Sequence, residues 1–140
     1  MSAANNISQL DAKQQVWALV RRADQLREQG QYADSEVLFK QALALAEATY
    51  GKEARELIAV LNNHAILYKY SGQFDAGESL YRRALELAVR HLGEEHPEIA
   101  TIYHNLGGLD HARGRFAEAE PAARRAVEIR QNALDAGHTG

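Results

Sequence analysis

The chain has no cysteine, only two prolines, a single methionine and a single tryptophan. Without cysteine there is neither a disulfide framework nor a thiolate metal site, which fits a reducing compartment. No apolar run approaches the roughly 18 residues that a membrane span needs. Met1 to Leu10 is polar and lacks the positive-then-apolar order of a secretory signal. A cytoplasmic protein is expected, with no membrane partner. Blocks of Lys or Arg are missing too, and the net charge is −3, so no nucleic-acid partner is expected. Catalytic motifs are equally scarce. There is no Gly-x-Ser-x-Gly elbow and no HExxH, and Gly107-Gly108 falls within a helical stretch rather than a phosphate loop. Six histidines are present, but His104 and His111 lie about 10 Å apart along a helix, too far for one ion. The expectation is a protein that is not an enzyme and has no cofactor and no metal.

What is there is helix and repetition. β-Branched residues are scarce beside Ala, Leu, Glu, Gln and Arg, which favours helix nearly throughout. Apolar or small residues recur at 3–4 spacing: Val16, Leu19, Val20, Ala23 and Leu26, then Ile58, Leu61, Ala65 and Tyr68, then Ile99, Ile102, Tyr103 and Leu106. A glycine–aromatic step returns at equal intervals, as Gly30-Gln31-Tyr32, Gly72-Gln73-Phe74 and Gly114-Arg115-Phe116. The interval is about 42 residues, and a fixed period of roughly 20–50 marks a stacked repeat protein. Gly30, Gly72 and Gly114 suit left-handed helix stops, and Gly51 and Gly93 are expected to do the same after the following helix. Pro97 suits a first helical turn, and Ser8 to Asp11 resembles a capping box.

These signals predict helices over 9–29, 33–50, 54–70, 75–92, 97–113 and 117–132, and short turns make successive helices antiparallel. The domain reading is a flexible tail over 1–8, a helical array over 9–132 with repeats at about 14–50, 54–92 and 96–132, and a C-terminal tail over 133–140. That tail aligns loosely, one period on, with His91 to Glu98, the start of a further repeat. Small residues recur where paired helices would cross: Ala23 with Ser35, Ala65 with Gly77, Gly107 with Ala119. Tyr32, Phe74 and Phe116 are expected to fill the space beside them. Pro121 lies inside the last helix, tolerated near its first turn but otherwise a kink.

Small residue, Gly-x-aromatic turn, small residue, then aromatic and alanine: on these residues the chain resembles the tetratricopeptide repeat family over about residues 14–131. The family's usual repeat is shorter, at about 34 residues. The longer version found here is similar to the repeats of kinesin light chains and bacterial scaffold proteins. Leu92 to Ala100 resembles that subfamily's linker, and Leu61 to Tyr68 its first helix. Departures are local: Val20 and Arg21 stand in place of the asparagine pair, Asp110 in place of Leu26 and Tyr68, and Ala123 in place of Phe39 and Tyr81.

The resemblance implies an all-α, right-handed α-solenoid of three helix hairpins, whose first helices line a concave groove. It implies a non-catalytic scaffold for protein–protein interaction, with a protein or peptide partner. Once packing positions are assigned, the groove is left with Trp17, Arg21 and Arg27 from repeat one. Repeat two offers Asn62, Asn63, Ile66, Lys69 and Tyr70, and repeat three Thr101, His104, Asn105 and His111. Asn63 and Asn105 lie one full period apart and form a ladder. An amide both donates and accepts hydrogen bonds, so it can pair with the backbone of an extended peptide; the other reading is a bond to a neighbouring helix or water. Arg21, Arg27 and Lys69 point to an acidic or extended ligand, against the alternative of a solvated helix face. A carboxylate-clamping subclass exists in the family, but of its residues only Asn63 fits here. The alternative function is a self-assembling array, or a piece of a larger repeat-containing signalling or regulatory protein. In that reading Ala126, Val127 and Ile129 would meet a partner, with a monomer or weak self-association expected.

Overall fold

The computed structural model describes residues 10–139, with side chains through Ala136. Six helices follow one another: α1 Ala12–Glu28, α2 Tyr32–Tyr50, α3 Leu57–Tyr70, α4 Phe74–Leu92, α5 Pro97–Ala112 and α6 Phe116–Thr139. Among the described residues there is no strand. The architecture is an all-α helical repeat of three hairpins.

Helix ends follow local chemistry. Helix α1 starts at Ala12 rather than at residue 9 because Asp11 is its N-cap. Gln14 N–H donates to Asp11 Oδ1 at 2.8 Å, and Asp11 N–H donates to Gln14 Oε1 at 3.2 Å, a reciprocal box that satisfies two orphan donors. The box expected at Ser8 lies outside the described residues. Helix α6 runs past residue 132 to Thr139, helped by a Gln131 Nε2 to Asp135 Oδ1 bond at 3.2 Å across one turn. Pro121 does not stop it. Its ring removes the donor for the carbonyl of Ala117, and both residues are exposed, so that carbonyl faces water.

The glycines divide into two kinds. Gly30, Gly72 and Gly114 have φ of 78°, 78° and 80°. Each is followed by a bond back into the helix, such as Gln31 N–H to Leu26 O at 2.8 Å and Arg115 N–H to Asp110 O at 2.7 Å, the left-handed reversal expected of them. Gly51 and Gly93 differ from that expectation. Their φ, ψ pairs of 101°, 154° and 87°, 157° lie outside the left-handed helical well, in a region essentially reserved for glycine. They send the chain off extended rather than folding it straight back.

The small residues do sit at the crossings. Ser35 is fully buried and its Oγ donates to Ala23 O at 2.7 Å. A Cβ placed on Gly77 would come within 3.4 Å of Ala65 O, and one on Gly107 within 3.2 Å of Ala119 O. Beside them Tyr32 and Phe74 pack against the core. Phe116 departs from this pattern and is 61% exposed. Its ring meets the edge of the His111 ring, 4.9 Å away, and borders an open hollow with Gly107, Ala119 and Ala123.

Hairpins stack through α2 against α3 and α4 against α5, and the first helices also touch in sequence, α1 to α3 to α5. Among the described residues the second helices stand further apart, and α2 and α4 are bridged by long side chains, Arg83 Nη2 donating to Glu47 Oε2 at 3.1 Å. First helices are therefore the closely spaced inner row, and their free faces form the concave side. One stripe carries the stacking. Leu57, Val60, His64 and Leu67 on α3 are buried, as are Ile99, Ile102, Leu106 and Leu109 on α5. His64 stacks on Phe39 of the preceding hairpin at 5.3 Å, and Leu109 Cδ1 lies 3.5 Å from where a Gly77 Cβ would be. In the same register α1 carries Gln15, Ala18, Arg22 and Gln25, none of them buried.

Candidate functional site

Between α3 and α5 lies a hollow of about 370 Å³, lined by Ile58, Ala59, Asn62, Asn63 and Ile66 on one side and Glu98, Thr101 and Asn105 on the other. Five of the sequence-predicted residues meet here: Asn62, Asn63, Ile66, Thr101 and Asn105. Asn63 and Asn105 are half-buried, as a residue on a groove wall should be. Asn62 Oδ1 is buried without a hydrogen-bond partner. Such an acceptor costs about 1–3 kcal/mol unless something donates to it.

A second hollow of about 180 Å³ continues along the groove and shares Ile66 and Asn105 with the first. Lys69, Tyr70 and His104 line it, with the buried Tyr81 behind. Lys69 Nζ stands 5.9 Å from the Tyr70 ring centre and makes no ion pair among the described residues. Tyr70 is 56% exposed. Arg27 approaches the same ring from α1, 5.6 Å from its centre, so cations flank this aromatic surface.

Not every predicted residue joins this surface. Arg27 is already engaged, 3.9 Å from Asp24 and 3.7 Å from Glu28. Burial raises the Asp24 carboxyl above its ordinary range, with Arg27 pulling the other way. Trp17 and Arg21 line a separate depression of about 300 Å³ with Leu10, Gln14 and Ala18. Trp17 is half-buried and donates its indole N–H to Tyr50 Oη at 3.2 Å. His111 faces a further hollow of about 370 Å³ between α5 and α6, which also takes in His104, Phe116 and Ala123. Ala126 and Ile129, expected to face a partner, are 1% and 0% exposed because they pack into the core, whereas Val127 is 64% exposed.

Glu98 was missed. It sits in the first turn of α5 and brings a negative charge into the asparagine hollow; the only sequence signal was its place just after Pro97, where acidic residues favour a helix start. His64 was missed as a site of strain. It is 3% exposed between Phe39 and Tyr68, with neither ring nitrogen hydrogen-bonded. Burial lowers its pKa to about 4, against the opposing charge of Glu36. Among the described residues no three His, Cys, Asp or Glu side chains converge on a possible metal position. No helix of these residues is long and apolar enough to cross a membrane.

The sequence model of the tetratricopeptide repeat matches residues 14–88 and again 56–132. No curated protein sequence matches the chain significantly. Among solved structures, BtubC (BKLC) from P. vanneervenii is 26% identical with a TM-score of 0.80, covering 89% of this chain and 49% of its own. TPR-like repeats of a kinesin-light-chain type protein from Podosopora anserina superpose with a TM-score of 0.77 at 21% identity, covering 89% of this chain and 58% of theirs. A single-substitution form of those repeats gives 0.75 at 22%, covering 84% and 56%. The chain thus spans about half the length of the solved proteins it resembles, and the likeness below 25% identity speaks for the fold alone.

Proposed function

This chain belongs to the tetratricopeptide repeat family, and from that premise we propose that it holds an extended segment of a partner protein along the concave face of α1, α3 and α5. Repeats of this family generally mediate protein–protein interaction and are generally non-catalytic. The observation that carries the finer reading is the pair Asn63 and Asn105, one register apart and lining one hollow with the unpaired Asn62 Oδ1. Amides in that arrangement supply donors and acceptors to a peptide backbone irrespective of its side chains. The adjoining Lys69, Tyr70 and His104 form the place for an acidic or aromatic side chain.

Display of a random peptide library on the intact chain tests this. Selected peptides should lose about tenfold or more in affinity to Asn63→Ala combined with Asn105→Ala, the equivalent of about 1.4 kcal/mol. Affinity unchanged in that double variant sinks the ladder. For acidic peptides, binding should weaken as salt rises from about 50 to 500 mM, and Lys69→Ala should remove most of that dependence.

A further inference from the structure

We infer that the hollow between α3 and α5 is a seat for one long basic side chain of the bound segment, arginine or lysine, and that the adjoining hollow at Lys69 takes an acidic side chain from a neighbouring position. The inference rests on the groove reading above and adds to it the charge order that the ligand must carry.

The walls of the first hollow set its chemistry. Among the described residues no lysine or arginine lines it, and Glu98 is its one charged wall. That carboxylate is exposed and has no ion-pair partner among the described residues. Asn62 Oδ1 is a second acceptor without a donor. This oxygen is turned inward, and a half-turn of the amide that brings it to the hollow breaks no hydrogen bond. Asn63 and Asn105 add two further amide oxygens. A guanidinium carries five N–H donors and an ammonium three, and neither has an acceptor to be left over. Ile58, Ala59 and Ile66 supply an apolar wall, along which the methylene stem of such a side chain lies while its head stays at the polar edge. An acidic side chain in the same place would face Glu98 as a like charge.

The second hollow has the opposite sign. A Cβ on Gly108 would come 3.4 Å from Lys69 Nζ, so the missing side chain leaves the ammonium room beside α5. Glu98 stands ten residues earlier on that helix, about 15 Å along the axis at about 1.5 Å per residue. Asn105 lies between them, nearer to Gly108. The two charges thus stand on opposite sides of the asparagine ladder, and Glu98 is the more distant, which suits a long side chain. Neighbouring residues of an extended chain point to different sides. A basic residue next to an acidic one therefore satisfies both hollows, whereas two like charges leave one unmatched.

Selection of a random nonapeptide library on the intact chain, with a parallel selection on Glu98→Arg, tests this. Peptides from the intact chain should be enriched in Arg or Lys directly beside Asp or Glu, and those from Glu98→Arg should lose the basic residue. Glu98 is exposed in the first turn of α5, so Glu98→Gln should fold as the parent does, which circular dichroism checks. Fluorescence anisotropy of a labelled selected peptide should show about fivefold weaker binding to Glu98→Gln, the scale of one partly exposed ion pair. Citrulline for the peptide's arginine, or acetyllysine for its lysine, should cost about as much against the parent and little against Glu98→Gln. Peptides weakened by Asn63→Ala with Asn105→Ala but indifferent to Glu98→Gln would overturn the basic seat and leave the groove standing. Enrichment of acidic residues alone would overturn the seat as well. Peptides indifferent to all of these changes, or no selected peptide, would overturn seat and groove together.

Discussion

His64 pits packing against solvation. A buried imidazole without a hydrogen bond is kept neutral, and its pKa of about 4 lies well below its ordinary 6.5. The unfolded chain therefore takes up a proton at a pH where the folded one does not. The stability that His64 contributes is fully present above pH 6.5, falls as pH drops, and is gone below about pH 4. The loss amounts to at most about 3 kcal/mol. Leucine stands at the same place in the next hairpin, as Leu106, so His64→Leu should fold. Urea midpoints of the two proteins should diverge in the variant's favour between pH 6.5 and 4, and then run parallel. Parallel curves across the whole range would show that His64 is hydrated in solution.

At the scale of elements, the second and third hairpins are joined by a polar cluster beside their buried apolar stripe. Asp110, at 5% exposure, replaces the Leu26 and Tyr68 of the other hairpins. Arg113 compensates for it. It donates to Asp110 Oδ1 from Nε at 3.1 Å and from Nη2 at 2.7 Å, to Asp75 at 3.0 Å, and to Glu78. Burial works against the Glu78 charge, but the bonds and charge of Arg113 keep its carboxyl below the usual range. Removing the arginine alone strands the Asp110 carboxylate, and Arg113→Ala should cost about 3 kcal/mol in urea denaturation. Adding Asp110→Leu to it should recover most of that loss. Little of this was legible in the sequence. Asp110 stood out as a misfit and its partner Arg113 lies three residues on, but the other partners of that arginine, Glu78 and Asp75, lie 35 and 38 residues away, and no local pattern announces them. Turns, crossings and most helix ends were legible because each is set within a few residues. The exposure of Phe116 was not, because its glycine–aromatic setting matches those of Tyr32 and Phe74, which pack against the core. The candidate groove falls between these cases. Register brought Asn62, Asn63, Ile66, Thr101 and Asn105 to one hollow, yet Trp17 and Arg21 line another, since the indole turns to Tyr50.

The whole array is directional. Its first helix turns a polar stripe outward, while its last hairpin leaves Phe116 and Val127 exposed. Giving α1 the stripe of α5, by Gln15→Ile, Ala18→Ile, Arg22→Leu and Gln25→Leu, should let one copy seat on the end of the next. Such a contact is heterologous and does not close on itself, so it propagates. Analytical ultracentrifugation should then show mass rising continuously with concentration. A discrete dimer would mean that the two ends do not fit each other.

The inner row of helices also sets a rhythm for anything bound along it. Packed helices stand about 8–10 Å apart, so under the proposed groove reading Asn63 and Asn105 would meet an extended ligand about three residues apart, at roughly 3.1–3.4 Å per residue. A β-strand turns its opposite face at every odd step and would present the two asparagines with different sides of its chain. A polyproline II helix completes one turn in about three residues, about 9.3 Å, and offers the same side to both. The spacing of the rungs thus favours a ligand that is already a left-handed, three-fold helix, and peptides selected on this groove should carry their prolines and anchor side chains with a period of three.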